Sequence, residues 1–153
     1  MHVQLRDVEA GDLPILFQQQ ADPEANRMAV ANPRDEDGFT AHWAKILADP
    51  TVIAKAILAD GRVVGSINCF KMEGQDSIGY WIAREAWGRG IATRALALLL
   101  EEVRIRPLHA RVARTNVASR RVLEHCGFVV TGYQLSPAYD RFPACEEAFL
   151  VLE

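Results

Sequence analysis

The chain is poor in the features that would staple it, metallate it or place it in a bilayer. Its 153 residues include only three cysteines, Cys69, Cys126 and Cys145. None has CxxC spacing, so neither a disulfide framework nor a structural zinc site is indicated. Four histidines (His2, His42, His109, His125) are scattered without an HExxH or related pattern, which removes the usual metal-ligand spacings. The longest apolar run, Ala95 to Leu100, is far shorter than the roughly 20 residues that cross a membrane. No basic, apolar and cleavage regions open the chain as a signal peptide would. Lys and Arg number 17 against 20 Asp and Glu, a net charge of −3 that lacks the basic excess of nucleic-acid binders. Repeats, low-complexity tracts and linkers are also missing. These absences predict a single soluble, cytoplasmic domain over 1–153, with neither nucleic acid nor membrane as partner. Local basic clusters can still hold a small polyanion.

What is present is ordinary globular material, with 50% hydrophobic and 24% charged residues. Val3 and Leu5 alternate with polar neighbours and predict a first strand. Asp12 is placed to cap a helix carrying Leu13, Leu16 and Phe17 on one face. Residues 21–34, with Pro23, Asn26, Asn32 and Pro33, read as an irregular connection. A second helix is predicted from Asp35 to Ala48, its acidic start matched to the helix dipole. The period then changes. Thr51 to Leu58 and Arg62 to Phe70 are β-rich runs separated by Asp60-Gly61, a strong hairpin signal. Lys71 to Asp76 reads as a polar turn before a third strand, Ser77 to Ala83.

Helix returns after Gly90, where Ala92, Ala95, Leu96, Leu99 and Val103 follow helical spacing up to Pro107. A short strand near His109 to Ala113, a helix capped by Asn116 and ended by Gly127, and strands at Phe128–Leu135 and Glu146–Leu152 complete the chain. The predicted order is β-α-α-β-β-β-α-β-α-β-β. It implies an α/β fold with a mixed, mostly antiparallel central sheet and helices on both faces, because the later strand–helix–strand units need crossovers.

The segment with most chemical content is Gly79-Tyr80-Trp81-Ile82 followed by Trp87-Gly88-Arg89-Gly90-Ile91-Ala92-Thr93. A helix start leaves N–H groups unpaired and partly positive, and glycine lets an anion approach them closely. Such a turn suits a phosphate or diphosphate, with Arg84, Arg89 and Arg94 flanking it. The P-loop pattern is absent, and Gly88-x-Gly90-x-x-Thr93 lacks the third glycine of a dinucleotide fingerprint. On composition alone, an anion site and a plain strand-to-helix turn both remain open.

The segment resembles motif A of the GNAT superfamily of N-acetyltransferases, R/Q-x-x-G-x-G/A, with Gly90 and Ala92 at the small positions. Trp87 stands where Arg or Gln is usual, as in the branch of ribosomal-protein N-terminal acetyltransferases. Asn116-x-x-Ser119-x-x-Val122-Leu123-Glu124-x-x-Gly127-Phe128 is similar to that branch's motif B. The match covers 77–128. The resemblance implies a single-domain GNAT fold, acetyl-CoA as cosubstrate, a primary amine (a protein N-terminus or a small-molecule amine) as acceptor, and a monomer or homodimer. It implies that the N–H groups of Trp87, Gly88, Arg89, Gly90, Ile91, Ala92 and Thr93 bind the CoA diphosphate. It places an oxyanion-stabilising N–H near Trp81 or Ile82, and Asn116 against the cofactor arm.

The family's usual general-acid tyrosine, seven residues after the motif-B Asn, is Leu123 here. Ser119 is the substitute the resemblance suggests, with catalytic, cofactor-positioning and purely helical roles all open. For the base, a glutamate common before the Ile-Gly-Tyr strand is replaced by Ser77. Glu73, Asp76, Tyr80 or a water relay remain. Tyr133, Trp43 and Trp81 are candidates to line the acceptor pocket, and Cys126 is expected to pack in the core. A non-catalytic acyl-CoA-binding or sensing module is the competing reading, because the tyrosine and glutamate are missing; a plain interaction domain is the third.

Overall fold

The computed structural model describes residues 1–153. One seven-stranded sheet runs in the order β1-β2-β3-β4-β5-β7-β6. The strands are β1 (Val3–Asp7), β2 (Ile53–Ala59), β3 (Arg62–Met72), β4 (Gln75–Ile82), β5 (Leu108–Ala113), β6 (Val129–Ser136) and β7 (Cys145–Leu152). All neighbours pair antiparallel except β4 and β5, which are parallel and joined by the crossover helix α4 (Ile91–Glu102). The remaining helices are α1 (Leu13–Gln20), α2 (Pro23–Ala29), α3 (Glu36–Ala48) and α5 (Val117–His125). No helix is long and apolar enough to cross a membrane.

The alternation of strand side chains divides the core in two. Ile57, Ile67, Ile78 and Ile82 meet Ile91, Leu96 and Leu99 of α4 and Leu123 of α5 in the larger cluster. Ala56 and Leu58, on the other face of β2, meet Leu16 of α1 and Phe39 and Trp43 of α3. The predicted mixed sheet with helices on both faces is therefore what forms.

Local signals are obeyed where they are strong. Asp35 caps α3 by accepting from the Gly38 N–H at 2.7 Å. Asp60 and Gly61 have φ of 50° and 81°, the left-handed pair that a tight hairpin turn demands.

Four expectations need correction. The connection at 21–34 contains α2, because Asp22 accepts from the Ala25 N–H at 2.9 Å and Pro23 occupies the first helical position. Proline and asparagine were read there as breakers, although Asp-Pro is also a helix start. Asp12 does not cap α1 with its side chain; its carboxylate binds Arg6 at 2.7 and 2.8 Å and the Glu9 N–H at 2.8 Å. The turn between β3 and β4 is narrower than Lys71–Asp76, since Met72 pairs with Gln75 across Glu73-Gly74 alone. Finally, α4 stops at Glu102 rather than at Pro107, because extended Val103 turns into the core.

Candidate active site

The parallel strands β4 and β5 share one registered pair, Ser77 with His109, and then diverge. The β4 ladder fixes what faces the resulting gap. The Ala83 N–H donates to the Val64 carbonyl at 2.8 Å, and antiparallel alternation then turns the backbone groups of Trp81 and Gly79 toward β3. Those of Tyr80 and Ile82 turn the other way, toward β5. The Ile82 carbonyl is taken by the Trp87 indole N–H at 3.0 Å, leaving the Ile82 N–H facing the gap.

At the end of the gap lies the start of α4. Gly88 and Gly90 both have φ of 75°, and Gly90 is a helix cap with no side chain to satisfy the first turn. The N–H groups of Gly88 through Thr93 have no acceptor in the protein, whereas the Trp87 N–H is spent on the Arg84 carbonyl at 3.1 Å. Six consecutive donors at a helix N-terminus form a concave anion cradle. A broad open groove of about 780 Å³ continues from Gly90 between α4 and α5, with Arg94, Arg121 and His125 on its walls. Its floor includes Cys126, whose Sγ lies 3.6 Å from the Thr93 carbonyl and whose thiol is pushed up by burial.

On the flank of the gap, the Tyr80 hydroxyl sits 2.7 Å from the Ser119 Oγ. Burial pushes the phenol up to about 12, with the Ser119 hydrogen bond opposing the shift, so it is neutral near neutral pH. Asn116 holds Ser119 in place, its Oδ1 accepting the Ser119 N–H at 3.3 Å. Leu123 is 1% exposed and belongs to the core. The hydroxyl that Leu123 does not supply arrives instead from β4.

A cavity of about 460 Å³ joins the two faces of the sheet here: Tyr80, Ser119 and Leu123 line it from one side, and Trp43, Trp81 and Glu147 from the other. The carboxylates on its wall are Asp140 and Glu147. Asp140 receives a hydrogen bond from Arg34 at 2.9 Å, which holds its carboxyl below the usual range. Glu147 is 7% exposed, and its Oε1 has no donor within the protein. Burial, reinforced by nearby Arg34, lowers His42, which also lines the wall.

Comparison with known proteins places this arrangement. The family model described as Acetyltransferase (GNAT) domain matches residues 2–129. The chain belongs to the GNAT acetyltransferase family. YdaF of Bacillus subtilis (strain 168), provisionally named a ribosomal N-acetyltransferase, is 35% identical over 97 residues, 59% of this chain. That alignment spans about half of YdaF, 53% of its length. The spermidine N-acetyltransferase of Vibrio cholerae, solved with CoA and spermine, superposes with a TM-score of 0.83 at 18% identity, covering 98% of this chain and 94% of that one. RimJ of Mycobacterium smegmatis, solved with CoA-disulfide, gives 0.80 at 22% identity, covering 98% and 81%.

The GNAT domain brings most of the sequence-predicted positions to one gap, with several changes of part. Trp87 contributes its indole to the Ile82 carbonyl, rather than a free N–H to the cradle. Trp81 turns its backbone into the β3 ladder, so Ile82 is the one of the pair that faces the gap. The Trp81 indole donates instead to the Gln19 carbonyl at 3.0 Å. Arg84 is engaged by Asp22 at 3.3 Å, which leaves Arg89 and Arg94 beside the turn.

Glu73, at the far hairpin turn, has a side chain 73% exposed and paired with Arg111 at 2.8 Å. Asp76 pairs with Lys71 at 3.1 Å. Neither lines the cavity. Tyr133 is not in the acceptor pocket; its hydroxyl accepts from Arg120 at 3.1 Å and its ring packs under Arg114 on the outer sheet.

Sequence reasoning missed Glu147, Arg34, His42, Asp140 and Arg141, all on the cavity wall. Asp140 and Arg141 had one signal, the length of the β6–β7 connection, 137–144, longer than a hairpin between paired neighbours requires; the other three had none.

Proposed function

We propose that this protein is an acetyl-CoA-dependent N-acetyltransferase acting on a primary amine. The observation that carries the reading is the row of six unpartnered N–H groups from Gly88 to Thr93, set at the end of the diverging β4 and β5. A diphosphate fits that cradle in charge and in donor number. Arg94, Arg121 and His125 in the adjoining groove suit the remaining phosphate of CoA. The free backbone groups of Tyr80 and Ile82 suit the amides of a pantetheine arm laid into the gap as a further strand would be. Three free thiols fit a reducing compartment, in keeping with a cytoplasmic protein.

Acetyl-CoA supplies a thioester whose acyl carbon accepts the lone pair of a neutral amine, with CoA leaving as its thiol. The Ile82 N–H polarises the thioester oxygen and stabilises the charge developing on it. Ser119 delivers a proton to sulfur and regains one from the attacking nitrogen, which sheds its second proton as the amide forms. With Tyr80 donating to Ser119 Oγ across 2.7 Å, the serine's own hydrogen is free to point into the cavity. The phenol of Tyr80, pushed up to about 12 by burial, acts as a neutral donor and not as the base. Glu147 takes the proton from the incoming ammonium, whose solution pKa is roughly 10. It is the cavity carboxylate without an ionic partner.

Steady-state acetyl transfer across an amine panel, with CoA binding followed by calorimetry, tests the reading. Binding without transfer to any amine would identify a non-catalytic acyl-CoA module. Absence of both would sink the proposal.

A further inference from the structure

The acceptor end of the cavity carries charges of both signs, and two of them have no partner of opposite charge. Arg141, in the loop between β6 and β7, sits over the Trp81 ring, its Cζ 4.4 Å from the ring centroid and 5.3 Å from that of Phe142. Its protein contacts are long: one terminal nitrogen donates to the Asn26 Oδ1 at 3.4 Å and to the Asn32 carbonyl at 3.3 Å. A guanidinium has five N–H donors in a rigid fork, so most of this one is unused. The neighbouring carboxylate, Asp140, is already bound by Arg34. Two guanidiniums therefore share one carboxylate, an excess of one positive charge at a half-buried site. Burial lowers Arg141 to about 10, with Arg34 adding to the shift, yet it stays charged at neutral pH.

Glu147 mirrors this on β7. It lies opposite Ala113 of β5, is buried, and presents an oxygen with no donor. Glu147 and Arg141 line the same cavity, together with Tyr139 and Asp140 of the arginine-bearing loop. Leaving a buried carboxylate and a partly buried guanidinium without counter-charges costs stability, and a ligand of matching charges relieves both.

We propose that the acceptor is a small amine that also bears an anionic group, as an α-amino acid does, its ammonium read by Glu147 and its anion by Arg141. This rests on the acetyltransferase reading of the same site and narrows its substrate class. Trp81 and Phe142 pack against the guanidinium, and most of its N–H donors are left for a carboxylate to bind. A polyamine, by contrast, would set a second ammonium against Arg141 and Arg34.

The test compares α-amino acids with their amides, which share size and amine but lack the carboxylate. Acetyl transfer and calorimetric binding in the presence of CoA are both measured. The expected result is a kcat/KM and an affinity at least tenfold higher for acid than for amide. Arg141→Gln should lower the acid's kcat/KM at least tenfold more than the amide's and so collapse that ratio, and Arg141→Lys should keep part of it. A merely structural arginine would lower acid and amide together, and that outcome overturns the proposal.

Equal handling of acid and amide by the unaltered protein, or a preference for amide or polyamine, also overturns it, without need of any variant and with acetyl transfer intact. Preferential binding of acids with no transfer upholds the acceptor class and removes the acetyltransferase reading. Neither binding nor transfer removes both.

Discussion

Replacing Gly90 by alanine tests the cofactor assignment through two separable numbers. Gly90 has φ of 75°, and a Cβ built there meets nothing within 4 Å. The protein therefore offers no clash, and the stability cost is the left-handed strain alone, about 1 kcal/mol. For a chain of this size that corresponds to a fall in Tm of about 2–4 °C. The new methyl group enters the open space before the first turn of α4, where an anion held by the N–H groups of Ile91, Ala92 and Thr93 would lie. If it displaces the anion from two of them, at about 1.5–3 kcal/mol for each charge-assisted bond, about 3–6 kcal/mol of binding is lost. That is a rise in Kd of a hundredfold or more.

Gly74→Ala is the control. Gly74 has φ of 78° and equally empty surroundings, but lies in the β3–β4 turn. Both variants should melt alike, and only Gly90→Ala should lose acetyl-CoA binding by calorimetry. Equal, near-parental affinity in the two would refute the diphosphate site.

Further outcomes follow from the same geometry. Ser119→Ala and Tyr80→Phe should each lower kcat by at least tenfold with little change in acetyl-CoA affinity, and the double variant should be scarcely worse than either single one. Additive losses would show that the 2.7 Å pair does not act as a unit. Glu147→Gln should cost about a hundredfold in kcat/KM near neutral pH, and Glu73→Gln less than threefold, the exposed Glu73 being tied to Arg111; the reverse order would return the base to the hairpin turn.

Asp12→Asn should destabilise the fold by about 2 kcal/mol at pH 7, since the Asp12 carboxylate loses a bidentate Arg6 contact. The hydrogen bond from Arg6 holds the Asp12 carboxyl below its ordinary value in the folded state. Its contribution is therefore complete above the unfolded pKa of about 4 and fades as pH falls through the lower, folded one. Urea unfolding at pH 7 and pH 3 should show the gap between parent and variant narrowing; a constant gap would mean that the ion pair is not its source.

The parts of this protein that were legible in sequence are those decided within a few neighbouring residues. Asp60-Gly61 forms its turn because the left-handed pair is a local requirement. Asn116 caps α5 because the acceptor for the Ser119 N–H is three residues away. The Gly88–Thr93 row of free N–H groups is local too, since it consists of one glycine turn and the first turn of the helix that follows. The mixed sheet followed from the order of elements, because strand–helix–strand units need crossovers.

Tertiary structure decided what those parts face. Whether Trp81 or Ile82 turns an N–H into the gap depends on the phase of the ladder with β3, and that phase is a property of two strands. The Tyr80 hydroxyl reaches Ser119 across 39 residues, so the substitute for the hydroxyl missing at Leu123 is visible only once β4 lies against α5. Arg34 meets Asp140 across 106 residues, and Glu147 in a strand reads as a solvated face until the folded chain buries it on the cavity wall. Long-range contacts of single polar side chains leave no periodic trace in a sequence, which is why the free N–H groups before α4 were readable and the side chains that meet on the cavity wall were not.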